Sequence, residues 1–149
     1  MATREELTLK IQDEKRSRNL SWKQIAEGIG PGSPILYTAA LLGQMTLTKT
    51  EAENAARLLG LTAIEATILT EPPLRGSLPA LPPTDPLIYR FHELVQTYGT
   101  TWKALIEEEF GDGIMSAIDF DMQIEREPNP KGDRVKINMS GKFLSYKRY

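Results

Sequence analysis

The 149-residue sequence has no cysteine, a single histidine, only two tryptophans and no excess of positive charge. Each shortage removes a class of chemistry. Without cysteine there is no thiol nucleophile, redox pair, iron–sulfur cluster or cysteine-rich zinc site. One histidine leaves no His-rich metal site within a chain, although an oligomer could pool several copies. The 18 Lys+Arg against 20 Asp+Glu give a formal net charge of −2. That balance speaks against a nucleic-acid binder, which usually carries a basic stripe. No apolar run approaches membrane-spanning length, and MATREELTLKIQDEKRSRN is too charged for a secretory signal. The expectation is a soluble, cytoplasmic protein with neither membrane nor nucleic acid among its partners. Its length suits one medium domain or two small ones.

What the sequence does contain falls into three textures. Residues 1–70 read as a bundle of about five short helices. The stretch EPPLRGSLPALPPTDP, residues 71–86, holds six of the ten prolines. Proline lacks the N–H and fixes φ, so this stretch reads as an extended connector. Residues 87–149 predict two more helices followed by strands.

Capping chemistry marks the first region. Ser21-x-x-Gln24 forms a capping box before SWKQIAEGIG, and Ser33-Pro34 opens PILYTAALLG with Gly43 as its stop. Thr50-x-x-Glu53 and Thr62-x-x-Glu65 predict two further starts. Trp22, Ile25, Ile29, Leu36, Ala40, Leu41, Leu58 and Leu59 supply the apolar faces. Helix, Gly-containing turn, helix and short return resemble a phage-repressor helix-turn-helix. Yet its reading helix would offer Ile35, Leu36, Tyr37 and Thr38, with no basic residue between Lys23 and Lys49. Base edges are read by Arg, Lys, Asn or Gln. A packing bundle therefore fits better than a DNA reader.

The last region changes period. FDMQIERE and RVKINMS each alternate apolar with polar residues, separated by the turn segment PNPKGD, so they predict a β-hairpin with one apolar face. GKFLSY is a candidate third strand. Three strands alone are marginal in water, and another subunit is a natural cover for their apolar face.

Between connector and hairpin lies the chemistry. Arg90 and Glu93 are three residues apart on a predicted helix and so are neighbours. They form either an ordinary ion pair or an arginine held by its own glutamate, with its remaining donors offered to an anion. Thr100 or Thr101 would cap a second helix, TWKALIEEEF. The run Glu107, Glu108, Glu109 reads as a solvated or subunit-facing helix end, because consecutive helical side chains diverge. Ser116 sits in an apolar context, and GDGIMSA is not a G-x-S-x-G nucleophile elbow. Nothing in the spacing makes His92 part of a Ser-His-Asp triad.

PTDP-x-x-YRF-x-E, then YGTT-x-KALI and FGDGI-x-SAI, with PLRG before and GKFL after, form a long ordered series. This series resembles the cyanase family (cyanate hydratase, or cyanate lyase). LYTAALLGQ in the first half is also similar, so the resemblance spans nearly the whole chain. It implies an α+β protein whose N-terminal bundle resembles a helix-turn-helix without binding DNA. Its C-terminal helix-plus-antiparallel-strand domain would interlock between subunits. It implies bicarbonate-dependent decomposition of cyanate to ammonia and carbon dioxide through carbamate. Bicarbonate is then a co-substrate, and no metal or organic cofactor is used. The family's catalytic trio maps to Arg90, Glu93 and Ser116. The implied assembly is a homo-oligomer, a decamer built as a pentamer of dimers. Ser77 stands where some members carry cysteine, which removes thiol-dependent behaviour here. The alternative from another class is a helix-turn-helix transcription regulator with an anion-sensing, dimerising C-terminal domain.

Overall fold

The structure, a computed structural model, describes residues 2–149. It divides into two compact units, Met1–Ser77 and Leu78–Tyr149. The first unit holds five helices: α1 (Arg4–Ser17), α2 (Trp22–Ile29), α3 (Pro34–Leu41), α4 (Lys49–Leu59) and α5 (Ala63–Ile68). Their starts follow local chemistry. Ser21 and Gln24 exchange side-chain and backbone hydrogen bonds at the head of α2, and Thr62 and Glu65 do the same for α5. Ser33 caps α3, with Pro34 at its first position.

Two boundaries differ from the sequence reading. The α4 cap is Thr48, boxed with Glu51, so the helix begins two residues before the Thr50 expectation. Both T-x-x-E triplets satisfy the local pattern. The earlier one lets Ala52, Ala55 and Leu59 share one buried face. Helix α1, which had no marked start, carries its own box from Thr3 and Glu6.

The core of this unit is aliphatic with one aromatic. Leu7, Ile11, Ile25, Ile29, Tyr37, Leu41, Leu59 and Leu69 are almost completely enclosed. The Gly32 N–H donates to the Tyr37 hydroxyl at 2.9 Å, so the buried ring keeps its polar tip satisfied. Arg4 ties the unit together from within. Its guanidinium donates to the carbonyls of Ala40 and Met45 at 3.1 and 2.7 Å, and also to Ile68. These are carbonyls at or beyond the ends of α3 and α5, where intrahelical partners are lacking. Burial pushes the Arg4 pKa below its ordinary value, against the opposing charge of Glu71. Lys10 and Glu65 add an ion pair between α1 and α5 at 2.8 Å.

The second unit contains α6 (Pro86–Phe110), β1 (Gly113–Glu127) and β2 (Arg134–Ser145). The expected pair of helices is one continuous 25-residue helix. Thr100 and Thr101 lie in its interior, because a mid-helix glycine such as Gly99 costs about 1 kcal/mol, too little to stop a long helix. Asp85 caps it, accepting from the N–H groups of Leu87 and Ile88. The strands form a two-stranded antiparallel sheet. GKFLSY is not a third strand, since it continues β2 and pairs back along β1. The hairpin turn is closed by Asp133, which accepts from the Asn129 N–H and pairs with Arg126. The Asn129 bond first, and Arg126 second, hold the Asp133 carboxyl below its usual range. Among the described residues, no helix is long and apolar enough to cross a membrane.

Candidate active site

Helix α6 positions the first two residues. Three positions of a helix place Arg90 and Glu93 on one face, and Arg90 Nη1 donates to Glu93 Oε2 at 2.9 Å. Both side chains are more than half exposed, 61% and 52%. An exposed pair like this adds little stability, about 0.3–0.5 kcal/mol. Its consequence is geometric. One nitrogen of the guanidinium fork is engaged, which orients the plane, while among the described residues the other donors take no hydrogen bond. The helix presenting the pair buries none of its own side chains. Leu87, Phe91, Leu94, Val95, Tyr98 and Trp102 are all substantially exposed.

Ser116 is placed by β1 and lies in a different setting. It is only 5% exposed, the one buried polar residue among those described. Its Oγ accepts two backbone hydrogen bonds, from Ile118 N–H at 3.0 Å and Asp119 N–H at 2.9 Å. The pairing explains this local turn. Met115 pairs with Phe143 and Phe120 pairs with Gly141, so residues 116–119 of β1 stand against Lys142 alone. Such an excursion bends the strand and re-aims a side chain. Within the single chain no hydrogen bond joins Ser116 to Arg90 or Glu93. The structure thus brings Arg90 and Glu93 together and holds Ser116 in a separate backbone turn of the same unit.

The neighbouring candidates take structural roles. Glu107 pairs with Lys103 one turn earlier, which accounts for part of the acidic run. His92 packs against the Tyr89 ring, with centroids 5.7 Å apart. Among the described residues no cluster of His, Asp or Glu has the geometry of a metal site. Sequence reasoning missed Gly141. An added Cβ there would lie 2.4 Å from the Ser116 carbonyl oxygen. A glycine inside a strand pattern is the signal that could have drawn notice to it.

The second unit is thus an α+β arrangement, a helix displaying an exposed arginine–glutamate pair followed by a hairpin that encloses a serine. Two family models match the chain, one described as cyanate hydratase, N-terminal (residues 4–73) and one as cyanate lyase C-terminal domain (residues 80–148). A cyanate hydratase from Ralstonia pickettii is 61% identical, covering 98% of this chain and 99% of its own. Another from Dechloromonas aromatica is 58% identical with the same coverage. The crystal structure of cyanase from T. urticae superposes with a TM-score of 0.77 at 37% identity, covering 93% of this chain and 96% of that one. The chain belongs to the cyanate hydratase family. The transcription-regulator alternative finds no support in these relatives. It also meets a physical obstacle, since Tyr37, one of the four residues that would read bases, is 2% exposed in the core.

Proposed function

We propose that this chain decomposes cyanate in a bicarbonate-dependent reaction, with Arg90, Glu93 and Ser116 as its catalytic residues and neither metal nor organic cofactor. Cyanate, bicarbonate and one proton give carbon dioxide and carbamate. Carbamate and a second proton then give ammonia and a further carbon dioxide. The observation that carries the site is the Arg90–Glu93 contact, a guanidinium oriented by its own glutamate on a helix that buries none of its own side chains.

The physical problem is to hold two anions together. At a separation of 4 Å they repel by about 4 kcal/mol at the effective dielectric of a protein surface. Arg90 offers a planar fork matched to a carboxylate-like group such as bicarbonate. Glu93 fixes that fork, and Ser116 donates to an oxygen or nitrogen of the substrate. Most of the acceleration is then positioning, with bicarbonate oxygen held against the cyanate carbon in a pocket from which water is excluded. One arginine per chain is few for two anions. Sites shared between subunits of a homo-oligomer, a decamer of five interlocked dimers, bring in further copies. The exposed apolar residues of α6 and of the hairpin support a C-terminal domain completed by other copies. The N-terminal bundle is then a helix-turn-helix relative used for packing, as its lack of basic residues around α3 supports.

Ammonia release from cyanate, measured with and without bicarbonate, tests this reading. Release is expected only when both anions are present. Equal release without bicarbonate overturns it.

A further inference from the structure

Both acceptor positions of the Ser116 hydroxyl are occupied. A hydroxyl has one donor and two lone pairs, and Ile118 N–H and Asp119 N–H fill the latter at 3.0 and 2.9 Å. The proton is what remains. A serine that acts as a nucleophile needs a free lone pair and a base to take its proton. Ser116 has its lone pairs engaged, and none of its hydrogen bonds goes to a titratable side chain.

The turn responsible is seated on the neighbouring strand. Residues 116–119 bulge over Lys142, and the backbone beside them is Gly141. A Cβ at Gly141 would stand 2.4 Å from the Ser116 carbonyl oxygen and 2.5 Å from Met115 Cγ. The nearer atom is backbone, so a side chain there must move the Ser116 turn itself. Nothing in the conformation of Gly141 requires glycine through a positive φ. The close approach alone requires it.

We infer that Gly141 is a positioning residue that acts through Ser116, seating the 116–119 turn so that its hydroxyl is a committed hydrogen-bond donor. The subsite at Ser116 accordingly takes an acceptor-only end of a small anion. Cyanate qualifies at both ends, whereas bicarbonate qualifies only through its unprotonated oxygens. Ser116 forms no covalent bond to substrate during turnover. This inference rests on the reading that Ser116 belongs to the site.

Four proteins test it: wild type, Ser116→Ala, Gly141→Ala and the double variant, each checked for mass in solution and assayed for bicarbonate-dependent ammonia release. A hydrogen bond to a charged partner implies roughly a tenfold or larger loss in kcat/KM for each single variant. Because both act through one hydroxyl, the double variant is expected to lose no more than the worse single one. Losses that multiply, a Gly141→Ala enzyme of normal activity, or a Gly141→Ala chain that no longer assembles, each overturn the positioning role. Wild-type enzyme quenched during turnover is expected to show no cyanate-derived adduct on the peptide that carries Ser116 by mass spectrometry. A carbamoyl ester on Ser116 overturns the donor assignment whatever the variants do. A Ser116→Ala enzyme with full activity removes Ser116 from the site, and a wild type without bicarbonate-dependent release removes the proposed reaction itself.

Discussion

The two units of this chain spend their apolar residues in opposite ways. In Met1–Ser77, leucines, isoleucines and alanines from five helices close on one another, and Ile11, Ile25 and Leu59 reach 0% exposure. In Leu78–Tyr149 a comparable supply of apolar residues buries almost nothing, and Pro83 and Ser116 are its two buried residues. Val95, Leu105, Ile124 and Val135 are all at least half exposed. Apolar patches of this extent mark a surface that another molecule covers. The first unit closes a core of its own, and the second leaves its apolar faces open. The proposed chemistry sits in the second, where the proposed homo-oligomer would bring residues from other copies to the site.

Separating the units gives the largest expected effect. Residues 2–77 alone should show a cooperative thermal transition as a monomer by circular dichroism. Residues 78–149 alone, at low concentration, should show none. A cooperative monomeric transition in the second fragment breaks the comparison. Next in size, Arg90→Ala is expected to lower kcat/KM by about a hundredfold or more, with the thermal transition of the N-terminal unit unchanged. A loss below about threefold would remove Arg90 from the site. Leu59→Ala should do the reverse, destabilising the bundle by about 2–5 kcal/mol in urea unfolding while the surviving folded enzyme keeps its turnover. Leu59 is fully enclosed, so the cavity has no solvent-exposed side on which to collapse.

The smallest effect depends on pH. The hydrogen bond from Lys10, with help from the Thr62 backbone, lowers the Glu65 pKa from its ordinary 4.5. A carboxyl whose folded pKa is depressed stabilises the fold above its unfolded pKa, and that contribution disappears as pH falls through the folded value. Lys10 is partly exposed, so the effect is worth about 1 kcal/mol or less. Urea midpoints measured from pH 7 downward should fall less steeply below 4.5 for Glu65→Gln than for wild type. Parallel curves would show that this pair contributes nothing.

Legibility in the sequence followed the range of the interaction. Caps at Ser21, Ser33 and Thr62 were readable because each involves residues three apart. Thr48 and Thr50 were not separable locally, since each is followed three residues later by glutamate, and only the burial of Ala52, Ala55 and Leu59 chose between them. Gly99-Thr100-Thr101 looked like a helix boundary but lies inside α6, because a modest propensity cost does not outweigh a continuous hydrogen-bond ladder. The Arg90–Glu93 contact was legible for the same reason as the caps. The state of Ser116 was not, because it depends on a strand arriving from 25 residues away at Gly141.

By itself, then, the sequence determined the helical starts at Ser21, Ser33 and Thr62, the arginine–glutamate pair and the absence of thiol chemistry. All of these are set by residue identity or by neighbours within one helical turn. Only the tertiary structure decided which apolar faces close into a core, where the bulge in β1 falls and which atoms of the Ser116 hydroxyl remain free. Those depend on pairing and packing between segments distant in the chain, and no local pattern carries their geometry.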